Sequence, residues 1–140
     1  MNDLLALYQE VILDHSRHPR HFGELIGATH QAEGNNPLCG DEMTLYVTLS
    51  DQIIQAIQFT GTGCAICMAS ASLLTEHVSG KTLHQAQDSF AGFLHLASTG
   101  EEPSNVSLGK LTVFASVHLF PLRVKCATLP WHALKAALIK

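Results

Sequence analysis

Two runs of alternating side chains near the middle of the chain set the fold. Met43, Leu45, Val47 and Leu49 fall on one side and Thr44, Tyr46 and Thr48 on the other, the period-two pattern of a strand with one buried face. Ser50-Asp51-Gln52 is a turn signal and residues 53–59 read as a second strand, so the pair forms an antiparallel hairpin. The more polar stretch 28–34 reads as an edge strand. Upstream, Leu4, Leu7, Tyr8, Val11 and Ile12 recur at helical spacing, which predicts an amphipathic helix over 3–15 that ends before Pro19. Gly61-Thr62-Gly63 breaks the second strand. Residues 64–79, rich in Ala, Met and Leu, predict a helix that Gly80 can close. Helical character resumes over 81–96. Residues 98–108, with Gly100, Pro103 and Asn105, are the least ordered stretch. Residues 111–120 read as a short helix that Pro121 breaks. A final helix is expected from near Thr128, with Pro130 in its first turn, to about Ile139. The fold class is therefore α+β: a small antiparallel three-stranded sheet with helices packed on one face.

Composition narrows the classes without choosing among them. The 140 residues are 46% apolar, enough for one domain over residues 1–140 with its own core. No repeat or low-complexity tract suggests a boundary. A net charge of −4 argues against nucleic acid as the main partner. No apolar run reaches the roughly 18 residues that a membrane span needs. Met-Asn-Asp-Leu-Leu-Ala carries no basic leader followed by an apolar stretch, so the expected setting is cytoplasmic and reducing. There, cysteines serve more often as metal ligands or reactive thiols than as disulfides.

Three widely separated cysteines carry the chemistry. They are Cys39 in Asn36-Pro37-Leu38-Cys39-Gly40-Asp41, Cys64 in Gly61-Thr62-Gly63-Cys64-Ala65-Ile66-Cys67, and Cys126 in Arg123-Val124-Lys125-Cys126-Ala127. Each follows a turn signal or a break in pattern, so each sits where a loop meets an ordered element. Gly40 lets the chain reverse, so that Cys39 and Asp41 can point to one side. Three sulfurs and one carboxylate, from Cys39, Asp41, Cys64 and Cys126, make a tetrahedral ligand set for zinc. Cys64 opens its helix, where unpaired backbone N–H groups suit a thiolate. Cys126 is expected just before the final helix in the same situation, with Arg123 and Lys125 adding positive charge. Cys67 pairs with Cys64 as Cys-x-x-Cys. No second such pair exists for a zinc ribbon, so Cys67 reads as a packed core thiol one turn behind the site.

The nine histidines form no zinc-protease motif. His77 and His84 read as surface residues, and only His118 lies close to a proposed ligand in sequence. The cationic segment Ser16-Arg17-His18-Pro19-Arg20-His21 is either a solvated helix end or a docking point for an acidic surface.

Taken in order, these motifs resemble the iron–sulfur cluster scaffold family (IscU and the N-terminal part of NifU), and more closely its zinc-binding SufU branch. The resemblance spans almost the whole chain. It runs through Leu7-Tyr8, Asp14-His15 and Pro19-Arg20, the two motifs around Cys39 and Cys64, Ala69-Ser70-Ala71-Ser72, and Phe120-Pro121-Leu122-Arg123-Val124-Lys125-Cys126-Ala127-Thr128-Leu129-Pro130-Trp131. Lys125 stands where the scaffolds carry histidine, and extra residues lie between about Lys81 and Lys110; both features are similar to SufU. Phe120-Pro121-Leu122-Arg123 replaces the scaffolds' Leu-Pro-Pro-Val-Lys chaperone motif. Cys67 stands where the branch carries serine or another small residue.

The resemblance implies a zinc-bound sulfur-transfer protein in iron–sulfur cluster assembly. Its partner would be a pyridoxal-phosphate cysteine desulfurase of SufS type, with downstream assembly proteins after it. Cys39 would accept persulfide sulfur, and Arg123 would support the metal site. The alternatives are a scaffold holding iron as a [2Fe–2S] cluster, a thiol–disulfide oxidoreductase using Cys64 and Cys67, and a purely structural zinc module.

Overall fold

The computed structural model describes the backbone of residues 2–139 and the side chains of 9–139. A helix α1 (Asn2–Arg17) leads into strands β1 (His30–Asn36), β2 (Asp41–Ser50) and β3 (Ile53–Thr62). Helices α2 (Ala65–Val78) and α3 (Leu83–Thr99), a 3-10 helix (Gly109–Leu119) and α4 (Pro121–Leu138) follow. The expected stripe positions Leu4, Leu7 and Tyr8 lie outside the described side chains, while Val11 and Ile12 pack on the core.

The sheet is antiparallel in the order β1-β2-β3. Alternation along β2 is realised as read: Met43, Leu45 and Val47 are buried, and Tyr46 on the opposite face reaches Thr60 across the ladder. Asp51 and Gln52 both take positive φ (53° and 62°), the mirror-image turn that suits the strands' right-handed twist. All helices lie to the side of the buried face. α4 packs against β1 and β2, α2 against β3, α1 on α2, and α3 on α4 and the 3-10 helix. Trp131 of α4, fully buried, stacks on Phe93 of α3 with ring centroids 5.0 Å apart and planes 17° from parallel. α2 is the central rod: nine of its residues are buried, so no single apolar stripe marks it.

One boundary departs from the sequence reading in a way that matters for the site. The last helix begins at Pro121, not near Thr128, and Pro130 lies inside it. Pro121 is its first residue, where a missing N–H costs nothing. Pro130 can give no hydrogen bond to the Cys126 carbonyl one turn back. The neighbouring carbonyl of Ala127 takes a bond from Ser70 Oγ of α2 at 2.5 Å, and Thr128 Oγ1 bonds the Val124 carbonyl at 2.8 Å. Side chains thus supply partners around the position where the proline interrupts the helical ladder.

The cationic segment is solvated at Arg17 and His18 and fastened at Arg20 and His21. His15 is buried, and its Nδ1 lies 2.7 Å from Ser72 Oγ; that oxygen also accepts the Arg20 N–H at 2.8 Å. The Ser72 hydroxyl, with one donor and two acceptor sites, thus serves both groups. His21 Nδ1 meets Thr75 Oγ1 at 3.0 Å, and the Arg20 guanidinium pairs with Asp14 at 2.7 Å. These bonds fasten α1 and the following turn to α2.

Candidate metal centre

Three chain segments meet at the sheet end nearest the N-terminus of α2. The first is the β1–β2 loop. Cys39 N–H bonds the Asn36 carbonyl at 3.2 Å, and Gly40 turns the chain with φ 71° into β2. Cys39 is exposed, whereas Asp41, the first residue of β2, is fully buried. The second is the turn from β3 into α2. Asp41 Oδ1 accepts the Cys64 N–H at 2.9 Å, a contact that needs a bare Gly63: a Cβ there would stand 2.7 Å from Oδ1. Cys64 is the N-cap of α2, and its Sγ accepts the Cys67 N–H at 3.4 Å. The third is α4, which brings Cys126 to a buried position with its Sγ 3.3 Å from Cys39 Sγ.

The ligating atoms of Cys39, Asp41 and Cys126 lie within 4.8 Å of one another. Cys64 falls outside that mutual set but is near enough to Cys126 to help push that thiol up, and the Cys64 N–H is held by Asp41. All four sequence-predicted ligands therefore surround one small volume. Asp41 Oδ2 is buried without any hydrogen-bond partner, and the Asp41 carboxylate is one of the groups gathered there. A buried carboxylate oxygen is rarely left without a partner, and a divalent cation would supply one. Sulfur and oxygen donors in this number suit zinc, so the residues present fit that metal.

Burial first, and then contacts with Cys39, Asp41 and Cys64, push the Cys126 thiol far above its ordinary range. The expected helix-start stabilisation of a Cys126 thiolate is thereby corrected. Cys126 sits more than a full turn inside α4, past the unpaired N–H groups, because α4 begins at Pro121. Cys67 is fully buried, and its thiol too is pushed up, by burial and then by Asp41, Cys64 and Cys39. It is the packed thiol behind the site that the helical spacing implied.

Arg123 is exposed and its guanidinium lies 4.7 Å from the Phe120 ring centroid, on the turn of α4 preceding Cys126. Leu38, Leu119, Phe120 and Leu122 are exposed in the segments that carry Cys39 and Cys126. His118 is remote in role: its Nδ1 meets the Ala115 carbonyl at 2.7 Å. His84 is exposed as expected. His77 is not; it is half-buried, with Nε2 3.1 Å from both Ser89 Oγ and Lys81 Nζ. Sequence reasoning missed Ser70 and Asn36. Ser70 anchors the backbone next to Cys126, and Asn36 is buried at the foot of the Cys39 loop with its Nδ2 unpartnered. Asn36 was present in the Asn-Pro-Leu-Cys motif, but nothing in the spacing marked it as buried.

The fold and the placement of these cysteines define a class, and comparison with known proteins agrees. The NifU-like N terminal domain family matches residues 7–127, and the chain belongs to it. The chain is 39% identical over 138 residues to the Streptococcus pyogenes serotype M1 iron–sulfur cluster assembly scaffold protein IscU, covering 99% of this chain and 86% of that one. It is 36% identical over 138 residues to the Bacillus subtilis (strain 168) zinc-dependent sulfurtransferase SufU, covering 99% and 93%. Among solved structures, FiSufU from Fervidobacterium islandicum AW-1, described as a cluster assembly scaffold for the SUF system, superposes with a TM-score of 0.87. It shares 37% identity over 95% of this chain and 97% of that one. A NifU-like N-terminal domain from Brucella abortus, 20% identical, shares the fold with a TM-score of 0.84 over 94% of this chain and 91% of that one. No described helix is long and apolar enough to cross a membrane.

Proposed function

We propose that this protein is a zinc-dependent sulfur-transfer component of iron–sulfur cluster assembly. It would hold the metal through Cys39, Asp41, Cys64 and Cys126 and accept sulfur on Cys39 from a pyridoxal-phosphate cysteine desulfurase of SufS type. It would pass that sulfur to downstream assembly proteins, in the cytoplasm. The observation that carries this reading is the buried Asp41 carboxylate, gathered with the Cys39 and Cys126 sulfurs and left with an unpartnered Oδ2. The relatives named SufU and IscU support the pathway.

When bound, zinc keeps its thiols deprotonated at neutral pH without redox chemistry of its own. The rest follows from the chain. Cys39 is the one exposed thiol of the three, and a side chain at Gly40 would meet nothing within 4 Å. Its loop has room to turn the sulfur outward, while Cys64 and Cys126 are held by helices. The Cys39 thiolate attacks the outer sulfur of the desulfurase persulfide. That S–S bond breaks, the desulfurase cysteine leaves as a thiolate, and Cys39 carries the persulfide. Arg123, stacked on Phe120 beside the site, would meet the partner's acidic groups. The oxidoreductase alternative is disfavoured by the placement of Cys67: it is fully buried, and what it offers Cys64 Sγ is its backbone N–H at 3.4 Å.

Metal analysis of anaerobically purified protein tests the reading: one colourless zinc per chain supports transfer, and a brown iron-containing sample supports a [2Fe–2S] scaffold. Cys39→Ser should abolish stimulation of a matched desulfurase and Cys67→Ser should leave it. Mass spectrometry after turnover should find the added sulfur on Cys39; sulfur on Cys64 or Cys67 would overturn the assignment.

A further inference from the structure

The Cys39 and Cys126 sulfurs are already in contact at 3.3 Å, and the two cysteines differ in their access to solvent. Cys39 opens to solvent and Cys126 is 3% exposed. A sulfur added to Cys39 must project toward the open side, because the inner side is filled by Cys126 and Asp41. Cys126 Sγ, 3.3 Å from Cys39 Sγ, is then the sulfur in contact with the inner sulfur of the persulfide. Attack there displaces the outer sulfur in a thiol–disulfide exchange.

We infer that Cys126 is a resolving thiol for a Cys39 persulfide, so that the protein left without an acceptor releases the transferred sulfur as sulfide. The inference rests on the reading of Cys39 as acceptor. In the step, the Cys126 sulfur attacks the inner sulfur of Cys39–S–SH. The Cys39–sulfane bond breaks, the outer sulfur leaves as hydrosulfide, and the Cys126 proton leaves with it as hydrogen sulfide. The sulfane sulfur gains two electrons, and the Cys39 and Cys126 thiols lose two in becoming a disulfide. Closing the sulfurs from 3.3 Å to a bond of about 2.05 Å asks for a small motion, which the Cys39 loop can make through Gly40 at φ 71°. Cys64 is less well placed, being outside the tight Cys39–Asp41–Cys126 set, and Cys67 lies behind it, fully buried. The disulfide removes two of the proposed zinc ligands, so resolution and metal loss go together. A dithiol reductant would reset the protein.

The test uses the full chain as purified. It is loaded with desulfurase and cysteine, freed of both by anaerobic gel filtration, and kept without added thiol. Sulfide, zinc release to a chromophoric chelator, and disulfides by non-reducing peptide mapping are followed together. Sulfide should appear in step with persulfide loss and with zinc release, alongside a Cys39–Cys126 peptide. Cys126→Ser should hold its persulfide at least about tenfold longer, a modest bound for the loss of a pre-positioned neighbouring thiol; Cys67→Ser should decay like the parent. Should Cys126→Ser fail to fold, the parent's peptide map decides alone. A persulfide on Cys39 that persists until thiol is added, or a disulfide from Cys39 to Cys64 or between chains, overturns the inference and leaves the acceptor role standing. Absence of sulfur from Cys39 overturns both.

Discussion

Asp41→Asn separates the ligand role of this residue from its structural one. The carboxylate has two oxygens with different work. Oδ1 accepts the Cys64 N–H at 2.9 Å and so holds the start of α2, while Oδ2 is buried with no partner in a carboxylate gathered with the sulfurs. Asparagine keeps an acceptor for Cys64 and replaces only Oδ2, with an amide that can turn its hydrogens toward the sulfurs. Loss of one anionic ligand should weaken metal binding by at least the 10- to 100-fold typical of removing a group that merely supports a ligand, or about 1.4–2.7 kcal/mol. That loss appears directly as lost stability of the loaded protein. In the metal-free protein the sign reverses. A buried carboxylate oxygen without a partner costs about 1–3 kcal/mol, so the variant should be as stable as the parent or more so.

The gap in melting temperature between loaded and chelated protein should therefore shrink. For a chain of this size, with about 4 °C per kcal/mol, the affinity loss alone narrows it by roughly 6–11 °C. Thermal melts with and without chelator, and competition against a chromophoric zinc chelator, measure both quantities. Asp41→Ala is the contrasting control, since it also orphans the Cys64 N–H and should weaken the metal-free protein. Two results would refute the reasoning: zinc affinity equal to the parent's, or an Asp41→Asn variant that loses as much stability without metal as with it. The second would make the carboxylate a structural acceptor only.

Three further outcomes follow from other parts of the molecule. Gly61→Ala should lower the melting temperature severely or prevent soluble expression. Gly61 holds φ 148°, and a Cβ there would run into the Glu42 carbonyl and come within 2.8 Å of Met43 Cα. Ser72→Ala should cost about 2–4 kcal/mol in urea unfolding by leaving His15 Nδ1 and the Arg20 N–H unpaired, and amide exchange should quicken in α1; a change under about 0.5 kcal/mol would mean water replaces the hydroxyl. His77 is held down to about 4 from its ordinary 6.5, by burial and then by the Lys81 ammonium. The folded protein thus binds fewer protons than the unfolded chain. The stability linked to His77 is complete above pH 6.5 and is lost as pH falls toward 4. His77→Gln, with chelator present, should flatten that acid limb by about 1 kcal/mol after allowance for partial exposure; an unchanged slope of urea midpoint against pH would remove His77 from the account.

The sheet and the ligand-bearing turns were readable because their signals are local. Alternation over Met43, Leu45 and Val47 is a period-two pattern that only one face can satisfy, and the glycines around Cys64 mark a turn wherever they occur. The start of α4 was not readable, because a proline that ends one helix and a proline that opens the next look the same in sequence. Pro121 does the second. Nor does α4 carry a clean stripe to reveal itself: Ala127, Leu129, Pro130, Trp131, Ala133 and Leu134 are buried by the sheet, α2 and α3 on several sides at once. His15 was not read as buried, although it lies three and four residues after Ile12 and Val11 on the same helix face, and its partner Ser72, 57 residues away, has no local signal at all.

That one boundary changes the chemistry. With Cys126 before a helix, it and Cys64 would be equivalent thiols, both favoured by a helix N-terminus. With Cys126 inside α4, the three become distinct. Cys64 caps a helix and accepts a backbone N–H, Cys39 is exposed on a glycine turn, and Cys126 is buried against it, with burial, Cys39, Asp41 and Cys64 all pushing its thiol up. A site with one exposed outer thiol and one buried inner thiol in contact has a direction, from the surface inward, that three equivalent ligands would lack. Such a direction suits a cysteine that takes a sulfur from outside better than it suits a purely structural clip.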